Sequence, residues 1–382
     1  MKPAGHEIWM NRALELAREG EGMTRPNPPV GAVVVSKGRV VGEGFHHRAG
    51  EAHAEILAIR EAGARARGAT LYVTLEPCCT WGKTPPCTEA ILKEGLSTVV
   101  VSVKDPNPKH AGRGLRRLRQ QGVNVITGIC RQEGSDLLAP FAKWVTTGLP
   151  WVTLKMGATL DGKIADARGA SRWITGPAAR RCVQQMRRRC DAILVGKNTI
   201  CLDNPRLTPR PAYGRKPYRV VVAGDGSLPA RAHVLSDAFV TRTIVAATRR
   251  IRPEMARLLH QRNAGLMTLP ARRGQVSLRH LMKALGGLGV LHVLCEGGGA
   301  LAESLIREGL VDQFHFFISP SILGGSDSIS PVRGKGWNIL NKPLLHFVRV
   351  EKGGEGCSAG GHTTKGEVIR DVHRTHTADG QA

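Results

Sequence analysis

The sequence has 382 residues, which is longer than one ordinary domain and long enough for two. No apolar run approaches the ~18 residues that span a bilayer, and residues 1–12 mix charged with apolar side chains, which excludes a membrane protein and a secretory signal and predicts a cytoplasmic protein. The net charge of +24 allows a phosphorylated ligand, nucleic acid or simply a basic surface, but the sparse aromatic residues, 4%, do not interleave with the basic ones as a stacking platform for nucleic acid requires.

The first half of the sequence predicts strands that alternate with amphipathic helices. Residues 24–29 form a proline-rich loop that cannot be helical. The alternation of strands with helices is typical of an α/β sheet that has parallel strand pairs and is covered by helices. In chain order we predict a helix over 6–20, strands over 30–36 and 40–44, a helix over 51–65, a strand over 69–75, a helix over 85–94, a strand over 98–103, a helix over 112–121, a strand over 123–127 and a helix over 133–146.

Three residues of the first half form a ligand set for a metal ion. His53 and Cys87 lie in the first turns of two predicted helices, and Cys78 follows Pro77 directly after a predicted strand. One imidazole and two thiolates are ligands that zinc prefers, and three protein ligands leave a fourth position for water. We therefore predict a catalytic zinc site, with Cys79 as an alternative ligand to Cys78. The competing interpretation is that these are unrelated core residues.

Glu55, two residues after His53, is the predicted catalytic residue. Zinc lowers the pKa of bound water to about 7, and a carboxylate that does not ligate the metal can accept its proton. The same carboxyl can then protonate a nitrogen that leaves a ring carbon as ammonia. The sequence therefore predicts a hydrolytic deaminase site.

The second half starts again with an apolar strand after Gly148 and Pro150. Predicted strands cover residues 151–156, 192–195, 218–222, 243–246, 290–296 and 314–318, with helices between them. The last thirty residues are rich in Gly, His and Thr with little apolar content, which predicts a disordered or loosely attached tail. We predict a first domain over residues 1–148, a second over 149–352 and the tail over 353–382.

A glycine triplet, Gly297–Gly299, ends an apolar strand and opens a predicted helix in the second half. Its bare amides could face a phosphate or a ribose, although a plain turn explains the glycines equally well. No G-x-G-x-x-G follows the relevant strands, which disfavours an ordinary Rossmann domain.

Several motifs together resemble the bifunctional deaminase/reductases of riboflavin biosynthesis. The first half contains H-A-E at residues 53–55, P-C followed by C after eight residues, G-K-T-P-P-C at 82–87 and D-P-N-P at 105–108. The second half resembles the family's reductase domain at residues 154–163, 171–175, 191–196, 203–208 and 296–299. The sequence departs from the family at Thr80 and Trp81, where the family commonly has a His followed by a variable residue.

The resemblance implies a cytidine-deaminase-like α/β/α domain followed by a dihydrofolate-reductase-like α/β domain. It implies zinc held by His53, Cys78 and Cys87, and NADPH as the hydride donor. The implied substrate contacts of the deaminase are Asn27, His46, Lys83, Asp105 and Asn107.

For the reductase, the resemblance implies two overlapping groups of residues. Arg187 and Arg210 suit a 5'-phosphate, which Arg can grip with two hydrogen bonds, and Asp203 and Glu296 suit sugar hydroxyls. The implied substrate contacts are Lys155, Ser171, Trp173, Arg187, Asp203, Leu207, Arg210 and Glu296. The implied cofactor contacts are Ala158, Trp173, Thr175, Thr199, Asp203, Glu296, Gly297, Gly298 and Gly299.

The expected function is therefore two consecutive steps of flavin synthesis. The first domain would deaminate the pyrimidine of 2,5-diamino-6-(5-phosphoribosylamino)pyrimidin-4(3H)-one, and the second would reduce the ribosyl chain to ribityl. We expect phosphoribosylated pyrimidines as partners, no nucleic acid, no membrane, and a homo-oligomer formed through the reductase domain.

Two alternatives compete with this expectation. A nucleic-acid base deaminase with an accessory domain would account for the basic charge, and it predicts tight, salt-sensitive binding in a gel-shift experiment. A non-enzymatic, zinc-stabilised binding protein predicts that Glu55→Gln changes no measurable activity.

Overall fold

The computed structural model describes residues 3–82, 85–108, 110–211, 214, 216–353 and 367–373. The chain divides into two compact units, Met1–Leu149 and Pro150–Ala382. In the described part of the chain, no helix has both the length and the apolar character that crossing a membrane demands.

The first unit is built on one five-stranded sheet with strand order β2-β1-β3-β4-β5. The pairs β1–β2 and β1–β3 are antiparallel, whereas β3–β4 and β4–β5 are parallel. Its elements are α1 (Pro3–Glu19), β1 (Gly31–Ser36), β2 (Arg39–Phe45), α2 (Ala54–Ala62), a 3-10 turn (Gly63–Ala66), β3 (Thr70–Leu75), α3 (Cys87–Lys93), β4 (Thr98–Val103), α4 (Arg113–Gln120), β5 (Asn124–Thr127) and α5 (Arg131–Thr147).

Alternating residues of β1 show how helices cover both faces of this sheet. Ala32 and Val34 pack in a core with residues of α2, α3 and α4. Val33 and Val35 point to the other face, where they pack with α1 and with Leu137 of α5. Period-two alternation with both faces buried produces three layers, and the expected α/β/α fold is confirmed.

A glycine in β2 sets how closely α2 approaches the sheet. A Cβ atom on Gly42 would lie 2.1 Å from the carbonyl oxygen of Ala58 in α2. Only a residue without a side chain fits there, so the backbone of α2 rests directly on the strand.

The edge of the sheet where β3 and β4 end carries residues of the predicted deaminase site. Because β3 and β4 are parallel, with Leu75 paired to Val103, their carboxyl ends meet at the same edge. Cys78 follows the first strand and Asp105 follows the second. This edge is where ligands of open α/β sheets are usually bound.

The second unit is built on a nine-stranded sheet with order β10-β9-β8-β7-β13-β6-β14-β16-β15. The strands from β10 to β14 are parallel to their neighbours, and β16 is antiparallel to both β14 and β15. The strands of this sheet are β6 (Trp151–Thr159), β7 (Ala192–Gly196), β8 (Tyr218–Val222), β9 (Thr243–Ala247), β10 (Gly265–Thr268), β13 (His292–Cys295), β14 (Gln313–Ser319), β15 (His346–Gly353) and β16 (Glu367–His373). Two short strands, β11 (Ala271–Arg272) and β12 (Gln275–Val276), form a separate antiparallel pair. Its helices are α6 (Pro177–Arg189), α7 (Lys197–Asp203), α8 (His233–Ser236), α9 (Pro253–Gln261), α10 (Leu278–Gly287) and α11 (Gly299–Arg307), with a 3-10 turn at Val240–Arg242.

Helices also pack on this second sheet. Ile193 of β7, Val221 of β8 and Val245 of β9 share a core with residues of α7, α8 and α9. Ala179 of α6 packs against Phe317 of β14. These contacts give the second unit its α/β character, as expected for the dihydrofolate-reductase-like domain.

Strand β16 corrects the prediction of a disordered tail over residues 353–382. Residues 368–373 pair with β14 through six registered positions from Gln313 to Ile318, and residues 367–373 also pair with β15. The prediction was wrong for this segment because backbone pairing with distant strands decides its structure more than its own composition does. The remaining residues of the predicted tail, except Gly353, lie outside the described residues.

Candidate functional site

The three predicted metal ligands lie together in the first unit. His53 occupies the N-cap position of α2, directly before the first turn and not within it as the sequence predicted. Its Nδ1 atom lies 3.2 Å from Sγ of Cys87 and 3.6 Å from Sγ of Cys78, and all three ligand atoms are within 4.8 Å of one another. Zinc bonds of about 2.0–2.3 Å at tetrahedral angles require ligand separations of about 3.6–3.8 Å. The donor set therefore fits zinc in its chemistry, with the separation to Cys78 within this range and the 3.2 Å separation to Cys87 somewhat below it.

The two cysteines reach this cluster from different elements. Cys87 is the first residue of α3, and its backbone N–H donates a hydrogen bond of 3.3 Å to Sγ of Cys78. Hydrogen bonds from Cys87, and then from His53, lower the pKa of the Cys78 thiol to about 4. A thiolate is therefore favoured beside the imidazole, which is the form that binds a metal.

Cys79 does not belong to the ligand cluster formed by the described residues. Burial raises the pKa of its thiol, and the charged groups that act on it include Glu76, Arg113 and Arg117. Of the two neighbouring cysteines, Cys78 is the one that belongs to the metal-ligand group of the described residues.

Glu55 lies in the first turn of α2 and is almost completely buried, with 4% of its surface exposed. Burial, and next the negative charge of Cys78, raise the pKa of its carboxyl to about 7. Glu55 is not part of the ligand group, although its side chain is hydrogen-bonded to Cys87. Glu55 therefore lies beside the metal ligands without being one of them, and its carboxyl can accept and donate a proton.

The cluster opens into a cavity of about 310 Å³ within the first unit. This volume lies at the lower end of the range for sites that bind small molecules. Of the predicted residues, the cavity is lined by Asn27, His46, His53, Glu55, Cys78, Asp105 and Asn107. The remaining predicted contact, Lys83, lies outside the described residues.

His46 and Asn27 hold each other in a defined orientation on the cavity wall. Nδ1 of His46 lies 3.1 Å from the carbonyl oxygen of Ala52, so this nitrogen carries the proton and donates. Nε2 then accepts a 3.0 Å hydrogen bond from the amide nitrogen of Asn27. Burial lowers the pKa of His46, which favours this neutral form. The pairing leaves the side-chain oxygen of Asn27 as an acceptor for a ligand amino group.

Several other residues that line the cavity were not among the predicted contacts. The aromatic rings of Phe141 and Trp144 lie on one face of α5, with centroids 6.4 Å apart. Their spacing of three residues within a predicted helix was a usable signal. Glu76, Thr80 and His110 also line the cavity. In the sequence, Thr80 stands out only as a departure from the family's pattern, and the place of Glu76 directly before Pro77 and Cys78 gives no indication of its partners.

In the second unit, the structure gathers Lys155, Arg187 and Glu296 into one buried cluster. Arg187 donates to both carboxylate oxygens of Glu296, at 2.6 and 2.9 Å, and Nζ of Lys155 lies 3.4 Å from Oε2. The register of β6 and β13 places Leu154 beside Cys295, which brings the next residue of each strand together. Burial opposes the charge of Glu296, but Arg187 and then Lys155 lower its pKa to about 2.

The other predicted reductase residues lie on several elements. Ser171 donates a 3.3 Å hydrogen bond to Asp203 at the end of α7, and Thr199 lies in the same helix. The backbone N–H of Arg210 donates to the side chain of Gln184 in α6, which keeps this loop against the helix that carries Arg187.

The remaining members of this set differ in exposure. Trp173 is 71% exposed, and the guanidinium of Arg180 lies 4.5 Å from its ring centroid. Leu207 and Ala158 are buried. A Cβ atom on Gly157 would meet the side chain of Thr175 at 3.1 Å, which places Thr175 against β6.

The three glycines of the triplet differ in what a side chain would meet at each position. A Cβ on Gly297 would lie 2.6 Å from Leu301, and one on Gly299 would lie 2.6 Å from the carbonyl oxygen of Ser330. A Cβ on Gly298 would meet nothing within 4 Å, and Gly298 is the N-cap of the nine-residue α11. The open approach to this helix terminus fits the phosphate or ribose of a dinucleotide such as NADPH.

Two protein families match this sequence. The cytidine and deoxycytidylate deaminase zinc-binding region matches residues 3–103, and the RibD C-terminal domain matches residues 150–358, more than half of the chain. Riboflavin biosynthesis protein RibD of Bacillus amyloliquefaciens is 40% identical over 370 residues, which cover 96% of this chain and 99% of that protein. The RibD protein of Escherichia coli (strain K12) is 41% identical over 334 residues, which cover 83% of this chain and 88% of that protein.

Solved structures of similar proteins match along nearly the whole chain. RibD of Acinetobacter baumannii is 33% identical with a TM-score of 0.83, and the match covers 98% of this chain and all of that one. A diaminohydroxyphosphoribosylaminopyrimidine deaminase/5-amino-6-(5-phosphoribosylamino)uracil reductase of Thermotoga maritima is 34% identical with the same TM-score, and covers the same shares.

The fold and the two clusters of polar residues define a bifunctional enzyme, a zinc-dependent deaminase joined to a reductase. The family's reductase domain implies NADPH as its cofactor. The chain belongs to the family of the riboflavin biosynthesis protein RibD.

Proposed function

We propose that the first unit deaminates the pyrimidine ring of 2,5-diamino-6-(5-phosphoribosylamino)pyrimidin-4(3H)-one through Glu55 and the metal ligands. One observation carries this proposal. The cavity that opens from the ligand cluster is lined by Glu55 and by four polar residues suited to a polar ring, namely Asn27, His46, Asp105 and Asn107.

The residues around the cavity divide the chemistry among them. When bound, zinc supplies Lewis acidity, which makes water a nucleophile at neutral pH. Glu55 takes the two protons of the attacking water in turn and passes one to the adjacent ring nitrogen and one to the amino nitrogen, which leaves as ammonia while the ring gains a carbonyl oxygen. Asn27, fixed by His46, offers its amide oxygen to a ring substituent, and Phe141 with Trp144 provides an apolar wall.

We also propose that the second unit reduces the ribosyl chain to ribityl with hydride from NADPH. Lys155 and Glu296 would orient the sugar, since Lys155 in β6 and Glu296 directly after β13 lie side by side, with Nζ 3.4 Å from Oε2. Arg187 is already held by both oxygens of Glu296, so Arg210 is left as the more accessible partner for the 5'-phosphate. The bare N-terminus of α11 at Gly298 would face the cofactor.

We assign deamination to a domain of residues 1–148 and reduction to a domain of residues 149–352. We propose a cytoplasmic enzyme that forms a homo-oligomer through its reductase domain and has neither nucleic acid nor a membrane as its partner. Sedimentation of the full chain, compared with residues 1–148 alone, checks this. An oligomer of the full chain and a monomer of the fragment are expected.

The substitution Glu55→Gln tests the central assignment. The amide keeps the size of the side chain but cannot accept or return a proton. We expect ammonia release to fall by about 10²–10⁴-fold, which is the usual contribution of general acid–base catalysis. NADPH oxidation, followed at 340 nm on the deaminated intermediate, should be unchanged.

The matched control for this experiment is Glu61→Gln, which alters a carboxylate in the same helix, hydrogen-bonded to the backbone of Glu43. Equal loss of both activities in Glu55→Gln would contradict two separate sites. Full ammonia release by that variant would contradict the role given to Glu55.

A further inference from the structure

Glu76 binds a whole loop of the first unit through its carboxylate. Oε2 accepts hydrogen bonds from the backbone N–H groups of Asp105, at 3.1 Å, and Gly112, at 2.8 Å. Oε1 accepts from Gly114, at 2.9 Å, and from Leu115, at 3.4 Å. One buried side chain thus holds both ends of the segment between β4 and α4.

The surrounding backbone is built to bring this carboxylate close. A Cβ on Gly114 would lie 2.2 Å from the carbonyl oxygen of Pro77 and 3.3 Å from Oε1 of Glu76. The backbone N–H of Glu76 itself donates to the carbonyl oxygen of Val103 at 3.0 Å. These four backbone N–H groups satisfy both oxygens of a carboxylate that burial would otherwise leave without hydrogen-bond partners.

The position of Glu76 in the chain gives this arrangement a functional meaning. It lies two residues before the metal ligand Cys78, and the loop it binds carries Asp105 and Asn107 on the cavity wall. The backbone N–H of Asn107 in turn donates to the carboxylate of Asp105 at 2.8 Å. Glu76 therefore connects the metal-binding strand end with the predicted substrate-binding loop.

We propose that Glu76 is a positioning residue of the deaminase, which fixes the distance between the metal ligands and the loop that binds the substrate. The inference rests on the proposed role of Asp105 and Asn107 in substrate binding. Substitution of Glu76 should therefore change KM more than kcat, because the reacting groups, Glu55 and the metal ligands, are not altered.

The test is steady-state ammonia release by Glu76→Gln in the full-length, zinc-loaded protein. Glutamine has one acceptor oxygen, so its NH2 group would face two N–H donors that it cannot bind. We expect KM for the diaminopyrimidine substrate to rise at least about 10-fold with kcat changed less than about threefold. Zinc content should stay at one per chain, and NADPH oxidation on the deaminated intermediate should be unchanged.

Two further variants separate this proposal from a purely structural role. Glu89→Gln is the matched control, because Glu89 is a solvent-exposed carboxylate of α3 that pairs with Arg117, and it should leave KM unchanged. Glu76→Asp keeps both acceptor oxygens on a shorter side chain and should give an intermediate KM.

An unchanged KM in Glu76→Gln would overturn the proposal, and so would a fall in kcat that follows loss of zinc or of thermal stability. Insoluble protein from both Glu76 variants would overturn it as well, because it would assign Glu76 to folding alone. Absence of ammonia release by the unaltered protein is a different result, which would contradict the proposed function itself.

Discussion

The ion pair of Arg187 and Glu296 is the most buried charge pair at the predicted reductase site. The side chains are 13% and 7% exposed, and Lys155 adds a second positive charge. Pairs of this kind are strongly destabilising when one partner is removed, since a buried charge is left uncompensated. Their contribution also depends on pH through the protonation of the carboxylate.

The pH dependence of the second unit's stability follows from Glu296. Its pKa in the folded protein is about 2, below the ordinary value of 4.5, so its contribution is complete above pH 4.5 and is lost as pH falls towards 2. A shift of this size corresponds to about 3 kcal/mol. Calorimetry of the full chain should show the melting temperature of one transition falling below pH 4.5.

The variant Glu296→Gln supplies the comparison for that experiment. Its second unit should be about 3–5 kcal/mol less stable at pH 7, because Arg187 and Lys155 lose their counter-charge. The fall in melting temperature between pH 4.5 and pH 3 should be smaller than in the unaltered protein. Parallel pH profiles for the two proteins would show that the ion pair does not govern this dependence.

At the scale of elements, the site of the first unit depends on how α2 rests on β2. The helix carries Glu55 in its first turn and begins directly after His53. Its backbone contacts the strand at Gly42 with no side chain between them. A displacement of the helix would therefore move both functional groups relative to Cys78 and Cys87, which are held by other elements.

The substitution Gly42→Ala tests this dependence. Its Cβ would lie 2.1 Å from the carbonyl oxygen of Ala58, so α2 must shift or the strand must bend. We expect a loss of about 1–3 kcal/mol in the stability of the first unit, together with weaker zinc binding and lower ammonia release. Competition with a chromogenic chelator measures the zinc affinity.

Gly287→Ala is the control for this change, because a Cβ at Gly287, in α10, would meet nothing within 4 Å. It should leave the zinc affinity unchanged. Unchanged zinc affinity in Gly42→Ala as well would show that the helix position is set elsewhere.

At the scale of the whole molecule, the two groups of functional residues lie in separate compact units. The zinc ligands belong to the first unit, and the residues predicted to bind NADPH belong to the second. Removal of zinc with a chelator should therefore abolish ammonia release and leave NADPH oxidation on the deaminated intermediate intact. Added zinc should restore the first activity, and a parallel loss of both would contradict this separation.

How far the sequence predicts this molecule depends on how local each signal is. His53, Glu55, Cys78 and Cys87 could be identified because each is marked by its immediate neighbours, and the strand–helix alternation gave the fold class. Glu76 could not, because its four partners lie 29 to 39 residues away. Such contacts depend on the register of strands, which a single sequence specifies only weakly.

The same limit explains the interpretation of Arg187. Its charge suggested a phosphate, but a carboxylate 109 residues away is its partner in the structure. The alignment of β6, β13 and α6 creates that pair, and no local motif indicates it. The proposed phosphate contact through Arg210 stays a prediction.

Strand β16 lies between β14 and β15, although it follows both of them in the chain. During synthesis β15 therefore leaves the ribosome before the strand that joins it to the rest of the sheet. The seven parallel strands of this sheet, all of which precede β15 in the chain, can pair while translation continues, but β15 must wait with an unpaired edge until residues 367–373 emerge. The order of strands thus makes completion of this sheet a late event in the biogenesis of the protein.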